Sequence, residues 1–319
     1  MKILVTGAAG FIGMHLAEAL LDDGHDVVGF DNFNDYYNVS LKEARFQRLE
    51  NRTGFTMVRG DLTDYELLST LFGEHRFDRV CHLAAQAGVR YSIQNPFAYQ
   101  QSNLQGHLNI LEACRHAGVS RLVYASSSSV YGGNKKVPFS EVDPVDHPVS
   151  LYAATKKANE LMSHSYTHLY GLQTVGLRFF TVYGPWGRPD MAYWSFAEAM
   201  LNGRTIPVFN HGDMKRDFTY ITDIIVGVKA ALFADGLAPY EIFNLGNNKP
   251  ENLMDFIKTL ASALGVDPQM EMLPMQAGDV PITYADVSKA RTQLGYEPAT
   301  PIAEGIPVFV DWLKEYRKG

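Results

Sequence analysis

The chain of 319 residues lacks the features that mark exported and membrane-spanning proteins. Its two cysteines, Cys81 and Cys114, are too few for a disulfide framework, and both lie in apolar stretches typical of reduced core residues. No stretch approaches eighteen uninterrupted apolar residues, and the N-terminus predicts a strand from its third residue. The sequence therefore predicts a cytoplasmic protein that does not associate with a membrane.

Positive charge is also scarce. The chain has 28 lysines and arginines against 35 aspartates and glutamates, so its formal net charge is −7. This balance argues against nucleic acid or an anionic membrane as the main partner. With 46% hydrophobic residues, the chain is long enough to bury one large core or two domains.

What the sequence does contain is an alternation of short apolar runs and helical patterns over its first 180 residues. Helical patterns cover residues 11–24, 65–72, 103–117 and 153–170. The predicted strands are "KILVTG", "DVVGFD", "FTMVRGD", "RVCHLAA", "RLVYASS" and "TVGLRFF". This order predicts an α/β fold with a Rossmann-type, doubly wound parallel sheet covered on both faces.

Three glycines connect the first strand to the first helix. Gly7, Gly10 and Gly13 in "TGAAGFIG" suit a tight turn, a close backbone approach to a pyrophosphate, and close packing of helix on strand. Asp31 ends the second strand, where a carboxylate accepts hydrogen bonds from ribose hydroxyls and repels a 2′-phosphate. We therefore expect NAD rather than NADP.

Two further strand ends favour a cofactor bed at the same edge of the sheet. Asp61 and Leu62 follow the third strand, where an acid can meet the adenine amino group. The small residues Leu83, Ala84 and Ala85 end the fourth strand and allow a close backbone approach.

Beyond residue 180 the sequence becomes rich in proline, glycine and aromatic residues. "YEIFNLG", residues 240–246, is one apparent return to the sheet. We expect an NAD-binding domain over residues 1–180 with a return around 213–246. A smaller C-terminal α/β substrate domain is expected over 181–212 and 247–319.

"YAATK" places Tyr152 and Lys156 four residues apart on one helix face. A phenol that works as a base near pH 7 needs its pKa lowered by about 3 units, or roughly 4 kcal/mol. An ammonium about 4 Å away supplies a similar amount at an effective dielectric near 20. The pair predicts a base and the cation that activates it.

The glycine motif, the serine run "YASSSSVYGG" and the Tyr-Lys pair together resemble the extended short-chain dehydrogenase/reductase superfamily, specifically its nucleotide-sugar epimerases. The resemblance runs end to end, and "DNFNDYYNVSLKEAR" and "LRFFTVYGPWGRPDMA" bring it closest to the UDP-glucuronate 4-epimerase group. It implies that Ser127 is the catalytic serine, Tyr152 the base and Lys156 its activator, with Asn103 behind the active site. The further cofactor-binding residues expected from it are Phe11, Ile12, Asn32 and Phe179.

The same resemblance explains the serine run. Related dehydratases and decarboxylases carry acidic residues where this chain has Ser128 and Ser129, and those acids serve proton removal beside a 4-ketone or loss of carbon dioxide. A serine can hydrogen-bond but is not an efficient base at neutral pH. We therefore expect 4-epimerisation of a UDP-sugar, by transient oxidation to a 4-keto intermediate, rotation and hydride return.

For the UDP-sugar, the resemblance implies that Arg216 contacts the pyrophosphate and Asp279 the uridine ribose. Gln276 departs from the arginine found in many relatives, which puts a second phosphate contact in doubt. Thr181 and Arg188 are the residues expected to select a uronate, because a guanidinium can bind a carboxylate in two-point fashion. Met191 and Phe209 are candidates to flank the uracil.

Two alternative functions stay open: a UDP-glucose/UDP-galactose or N-acetylhexosamine 4-epimerase, and a non-catalytic NAD-binding regulatory protein. Glu160, His164 and His168 continue the helical row from Lys156, but the row lacks the spacing of a zinc-binding helix, and no metal is expected. Because relatives are commonly dimers, the resemblance implies a homodimer.

Overall fold

A computed structural model describes residues 1–275 and 281–318 of the chain. Its strands are β1 (Lys2–Thr6), β2 (Asp26–Asp31), β3 (Phe55–Arg59), β4 (Arg79–His82), β5 (Arg121–Ser127), β6 (Gln173–Phe179), β7 (Thr181–Tyr183), β8 (Ile206–Val208), β9 (Lys215–Tyr220), β10 (Tyr240–Leu245), β11 (Pro250–Asn252), β12 (Met270–Met272) and β13 (Ile282–Thr283).

The helices are α1 (Phe11–Asp22), α2 (Val39–Glu50), α3 (Tyr65–His75), α4 (Tyr91–Gln94), α5 (Pro96–Tyr99), α6 (Gly106–Ala117), α7 (Leu151–Tyr170), α8 (Ala192–Leu201), α9 (Ile221–Phe233), α10 (Leu253–Leu264), α11 (Ser288–Leu294) and α12 (Ile302–Tyr316). A π-helical turn, Gln100–Gln105, leads into α6.

The central sheet is parallel, with the order β10-β6-β5-β4-β1-β2-β3. Its strands are apolar on both faces: Ile3, Leu4 and Val5 of β1 are all fully buried. Helices α1 and α9 cover one face, and α3 and α6 cover the other. The prediction of a Rossmann-type α/β fold is confirmed.

The chain order of the strands reverses at β1, which lies between β2 and β4. Adjacent crossovers leave opposite faces at such a point, so a crevice opens at the carboxyl ends of the strands. This crevice is where a dinucleotide-binding sheet takes its ligand.

A second, smaller sheet follows in the C-terminal half. Strand β9 pairs with β7, β11 and β13, and helices α8, α10 and α12 pack together in an aromatic-rich core beside it. Strand β10 returns to the central sheet beside β6, in the stretch that the sequence singled out. The domain boundaries expected from the sequence stay predictions.

Helix α2 was not anticipated. Its buried residues include Lys42 and Arg45 as well as Leu41 and Leu49, so polar side chains interrupt its apolar row. The helix predicted to begin at residue 103 instead begins as the π-helical turn at Gln100. Among the described residues, no helix is both long enough and apolar enough to span a membrane.

Candidate active site

A cavity of about 940 Å³ opens at the carboxyl ends of the central strands. One part, the glycine end, is lined by the glycine loop and by Asp31 and Asp61. The opposite part, the arginine end, is lined by Arg188, Arg216 and their neighbours from the C-terminal half. Single-ligand pockets typically measure roughly 300–1,000 Å³, so this elongated cavity suits a large ligand or two ligands end to end.

The structure brings nearly all the predicted site residues to this cavity. Its lining includes Gly7, Gly10, Phe11, Ile12, Gly13, Asp31, Asn32, Asp61, Leu62, Leu83, Ala84, Ala85, Ser127, Ser128, Ser129, Tyr152, Lys156, Phe179, Thr181, Arg188, Met191, Phe209 and Arg216. Asn103 lies behind the lining, as described below. Asp279 and Gln276 lie outside the described residues.

The glycine loop has room only for glycine. Gly7 adopts a φ of +72°, and a Cβ there would lie 2.8 Å from the backbone nitrogen of Ala84. A Cβ on Gly13 would collide with the carbonyl oxygen of Gly7. Gly10 is the N-cap of α1 and has no side chain to cap the helix, so the N–H groups of its first turn are available to an anion. This cradle fits the pyrophosphate of a dinucleotide.

Asp31 is fixed by the same loop. Its carboxylate accepts hydrogen bonds from the N–H of Ala9 (3.1 Å) and the N–H of Phe33 (2.8 Å). Burial raises the pKa of Asp31, and the charge of Lys42 is the largest opposing influence. The carboxylate therefore lies on the cavity wall with spare acceptor capacity for a hydroxyl pair.

Asp61 and Asn32 form a second polar contact at the glycine end. The Asn32 amide donates to Asp61 at 2.7 Å, and the other carboxylate oxygen of Asp61 accepts from the backbone and side chain of Thr63. Burial raises the pKa of Asp61, but these hydrogen bonds outweigh it and leave the pKa below its ordinary value.

Asn103 acts on the cavity indirectly. Its side-chain oxygen accepts from the N–H of Gln86 (2.8 Å), and its amide donates to the Gln86 carbonyl (3.0 Å) and to the Thr155 hydroxyl (3.1 Å). The side chain is 2% exposed. Asn103 therefore connects the loop after β4, which lines the cavity, to helix α7, which carries Tyr152.

Tyr152 lines the cavity close to Ser127 and Arg188. Burial raises the pKa of the phenol, opposed first by the nearby Ser127 hydroxyl and then by the charge of Arg188. Lys156 donates from Nζ to the carbonyl of Ala125 at 3.0 Å, and burial lowers its pKa to about 8. The protein alone thus shows a raised phenol pKa, and the lowering expected from a close ammonium is not seen.

The serine run divides into two environments. Ser126 is buried, and its hydroxyl donates to the buried Glu160 at 2.6 Å. Ser127 accepts from the N–H of Ser129 at 3.1 Å, which begins a short turn that places Ser127, Ser128 and Ser129 on the cavity wall. These hydroxyls give the wall hydrogen-bonding capacity without a titratable acid.

Glu160 has a structural partner. It is 1% exposed and forms a two-point ion pair with Arg178, with both N···O distances at 2.9 Å. His164 packs edge-on against Tyr240, with ring centroids 4.9 Å apart. This part of the helical row therefore joins α7 to β6 and β10.

At the arginine end, Arg188 is paired with Asp190. Its Nε and Nη2 donate to the two oxygens of Asp190 at 3.1 and 2.5 Å. The Tyr36 hydroxyl, which also lines the cavity, donates to the same carboxylate at 3.2 Å. Tyr36 and Asp190 lie within the two stretches that carry the family resemblance, but sequence reasoning gave neither a role in the site.

Arg45 is the third residue that sequence reasoning missed. It is fully buried, and it donates to the carbonyls of Ala9 (3.2 Å), Trp186 (2.7 Å) and Gly187 (2.6 Å) and to the Tyr37 hydroxyl (2.6 Å). Ala9 belongs to the glycine loop, and Gly187 precedes Arg188. One guanidinium therefore connects the two ends of the cavity. Its position between Leu41 and Leu49 on one helix row was the available signal.

Arg216 lines the cavity, and its Nη1 donates to the carbonyls of Lys215 and Pro281. The carboxylate of the neighbouring Asp217 is buried and accepts from the N–H groups of Asn247 (2.6 Å), Asn248 (3.2 Å) and Ala285 (3.0 Å). These backbone contacts hold the Asp217 carboxylate in the protein interior.

The fold and this site together define a class: a Rossmann-fold enzyme with a dinucleotide cradle, a Tyr-Lys pair and a second ligand region beside it. The family model for the NAD-dependent epimerase/dehydratase family matches residues 3–246. The chain belongs to the NAD-dependent epimerase/dehydratase family, and the resemblance inferred from its motifs is confirmed.

Among its relatives is UDP-glucuronate 4-epimerase 4 of Arabidopsis thaliana, 50% identical over all of this chain and 76% of the relative. The crystal structure of UDP-glucuronic acid 4-epimerase from Bacillus cereus, with UDP-glucuronic acid and NAD, is similar with a TM-score of 0.93 and 38% identity, covering 99% of this chain and 100% of that one. The UDP-glucose 4-epimerase of Thermotoga maritima, with UDP-glucose, has a TM-score of 0.89 and 30% identity, covering 99% of this chain and 100% of that one.

Proposed function

We propose that this chain catalyses the NAD-dependent 4-epimerisation of a UDP-sugar, with UDP-glucuronate as the substrate and UDP-galacturonate as the product. One observation carries the proposal: Tyr152 lines the same cavity as the dinucleotide cradle, the hydroxyls of Ser127–Ser129 and Arg188, and it is close enough to Ser127 and Arg188 for both to influence its pKa. The similarity to proteins named UDP-glucuronate 4-epimerase supports the choice of sugar.

The residues that would hold NAD are those of the glycine end. The first turn of α1 is placed for the pyrophosphate, Asp31 for the adenosine ribose, and Asp61 for the adenine amino group. Bound NAD would supply a reversible hydride acceptor and a positive charge on its nicotinamide ring. A positive charge close to Tyr152 favours the phenolate and so opposes the effect of burial on its pKa.

The chain's own part in the chemistry is proton transfer and orientation. The phenolate oxygen of Tyr152 takes the proton of the sugar 4-hydroxyl during oxidation, and the resulting phenol returns it during reduction. Ser127 donates a hydrogen bond to the same region and orients the hydroxyl that reacts. The 4-keto sugar turns about its link to the diphosphate between the two half-reactions, so that its opposite face would receive the hydride. Because the hydride removed from C4 would return to C4, the cycle involves no net oxidation.

The uronate carboxylate needs control, because a 4-keto uronate is a β-keto acid that loses carbon dioxide when its carboxylate bond aligns with the carbonyl π system. The hydroxyls of Ser128, Ser129 and Thr181 and the guanidinium of Arg188 surround the space available to it. Hydrogen bonds from these groups would hold the carboxylate in another orientation without providing an acid.

The UDP portion is assigned to the remainder of the arginine end. Arg216 would contact the pyrophosphate, and Met191 and Phe209 line the wall where an aromatic base can pack. Asp279 stays a prediction for the uridine ribose.

The test is incubation of the purified protein, without added cofactor, with UDP-glucuronate, UDP-glucose and UDP-N-acetylglucosamine in turn. Proton NMR then gives the configuration at C4. We expect UDP-galacturonate to form from UDP-glucuronate at a kcat/KM well above those of the other two sugars. A preference for either neutral sugar would favour the hexose epimerase instead, and an absence of any conversion would favour a non-catalytic NAD-binding protein.

We also propose that the chain forms a homodimer. Large apolar side chains are exposed on α4, α5, α6 and α7, which pack against one another: Ile93 (81% exposed), Phe97 (74%), Leu108 (40%) and Leu161 (57%). A second copy of the chain would cover this face. Light scattering should give a dimer mass for the wild type and a monomer mass for the Phe97→Glu, Leu161→Glu double variant. The cytoplasmic location stays a prediction from the sequence.

A further inference from the structure

The ion pair between Arg188 and Asp190 has a geometry that leaves part of the guanidinium open. Asp190 accepts from Nε and Nη2, so the Nη1 donors and the second Nη2 donor of Arg188 are not engaged by Asp190. Both side chains line the cavity, with 25% and 29% of their surfaces exposed. An arginine held side-on by one carboxylate can present its far edge to a second carboxylate.

The backbone around this pair is held from two directions. The N–H of Arg188 donates to the Tyr193 hydroxyl at 3.0 Å. The preceding carbonyls, of Trp186 and Gly187, accept from the buried Arg45. Rotation of the Arg188 side chain is therefore the main freedom left, and Asp190 is the group that restricts it.

Asp190 is itself oriented by Tyr36, a residue 154 positions away in the chain. The Tyr36 hydroxyl donates to its Oδ2 at 3.2 Å, and the Tyr36 ring packs on the Tyr91 ring with centroids 4.8 Å apart. A Cβ on Gly88 would collide with the Tyr36 hydroxyl, so the space around that hydroxyl is tightly fitted. Tyr36, Asp190 and Arg188 thus form a hydrogen-bonded chain along the cavity lining.

We propose that Asp190 is a positioning residue that turns the free edge of the Arg188 guanidinium toward the sugar carboxylate and thereby sets the preference for a uronate, with Tyr36 orienting Asp190 in turn. This inference rests on the proposed function. It assigns Asp190 no proton-transfer role, because both of its oxygens are engaged by Arg188.

The charges of this pair also act on Tyr152. Arg188 lowers the pKa of the phenol and Asp190 raises it. The other groups around Tyr152 are Ser127 from β5, Lys156 on its own helix, and Tyr99 from α5. The ring centroids of Tyr99 and Tyr152 are 6.1 Å apart. Neutralising Asp190 should therefore lower the pKa of the base, whereas removing Arg188 should raise it. A purely structural role for Asp190 does not predict these opposite shifts.

The experiment compares the wild type with Asp190→Asn as NAD-loaded protein, and uses Asp22→Asn as the matched control. Asp22 forms an exposed ion pair with Arg52 outside the cavity, at 2.5 Å. For Asp190→Asn we expect the KM for UDP-glucuronate to rise by about 10-fold or more, with the affinity for UDP unchanged. The limb of the kcat/KM profile on which activity rises with pH should move to lower pH.

The conservative variant Tyr36→Phe removes only the hydroxyl that orients Asp190, so it keeps the ion pair. It should raise the KM for UDP-glucuronate by about 2- to 5-fold and leave the pH profile in place. Should Asp190→Asn fail to fold, as judged by its thermal melting curve, the Tyr36→Phe result decides: an unchanged KM overturns the inference.

Three results would contradict the inference while leaving the proposed function intact. The first is a KM for Asp190→Asn equal to that of Asp22→Asn, and the second is an unshifted pH profile. The third is a loss of kcat at every pH with KM unchanged, which would make Asp190 an acid or base. A wild-type protein inactive on UDP-glucuronate contradicts the proposed function, and the inference falls with it.

Discussion

The two ends of the cavity are built in different ways. At the glycine end, the binding surface is formed mainly by the backbone: a loop with room only for glycine and the first turn of a helix. At the arginine end, the binding surface is formed by side chains on loops. Their contacts join residues far apart in the chain, such as Tyr36 with Asp190 and Arg45 with Trp186. Contiguous motifs therefore reveal the first end, whereas the second depends on the fold.

Tyr152 stands where the two ends meet, so its loss should remove the chemistry and leave both ends intact. We expect Tyr152→Phe to lower kcat by about 10³-fold or more, because it removes the general base. NAD content after purification and affinity for UDP should stay near the wild-type values. Ser127→Ala should cost less, since it removes a hydrogen bond but not the base. Retention of most of the activity by Tyr152→Phe would rule out this assignment.

Arg45 does not belong to one end alone, because it hydrogen-bonds to the backbone of both ends of the cavity. Arg45→Met leaves the carbonyls of Ala9, Trp186 and Gly187 without this donor. We expect the free energy of unfolding in urea to fall by about 3–5 kcal/mol. NAD retention and UDP-glucuronate affinity should weaken together.

The matched control is Arg52→Met, which removes an exposed ion pair and should cost less than about 1 kcal/mol. Equal stabilities of the two variants would show that the buried guanidinium does not hold the loops.

Arg188→Ala should affect the arginine end and raise the pKa of Tyr152, while leaving the glycine end unchanged. Without the guanidinium, Asp190 is left as an unpaired negative charge facing the sugar carboxylate. We expect kcat/KM for UDP-glucuronate to fall by about 100-fold, with a much smaller change in UDP affinity. Some UDP-4-keto-pentose should leak out, detectable by mass spectrometry. If UDP-glucose turnover fell by the same factor, the uronate assignment of Arg188 would be lost.

The smallest expected effect is that of Lys156→Met on the way the free energy of unfolding changes with pH. Its pKa is lowered by burial to about 8, so the folded protein loses this proton as pH rises through 8 while the unfolded chain keeps it to about 10.4. Over that window the unfolded state binds more protons, and wild-type stability should rise relative to Lys156→Met. Between pH 7.5 and 9.5 we expect a relative gain of about 1–3 kcal/mol in the cofactor-free protein. A constant difference across this range would contradict the buried lysine.

The sequence predicted the parts of the molecule that local patterns encode. Strands such as β1 and β5 are short apolar runs, and the turns after them carry the residues that line the cavity. Helix α2 was missed because Lys42 and Arg45 occupy its buried row, where apolar residues are expected. A buried cation interrupts the apolar pattern of a helix in this way when its hydrogen-bond partners are carbonyls from distant loops.

The electrostatics of the site were the least predictable part. The spacing of Tyr152 and Lys156 suggested direct activation by the ammonium, whereas Lys156 donates to the carbonyl of Ala125. Burial raises the pKa of Tyr152, and the cation that opposes this rise is Arg188, from a loop that no spacing rule connects to α7. A sequence motif does not reveal charges that only the tertiary structure brings close to the site.

The central claim is that hydride leaves C4 of the sugar and returns to the same carbon without exchange with solvent. UDP-glucuronate carrying deuterium at C4 tests this directly, with the purified protein, no added cofactor and ordinary water. NMR and mass spectrometry of the product should show UDP-galacturonate that retains essentially all the deuterium at C4. Replacement of that deuterium by solvent hydrogen would contradict the account, because it would place a proton transfer where the account requires a hydride.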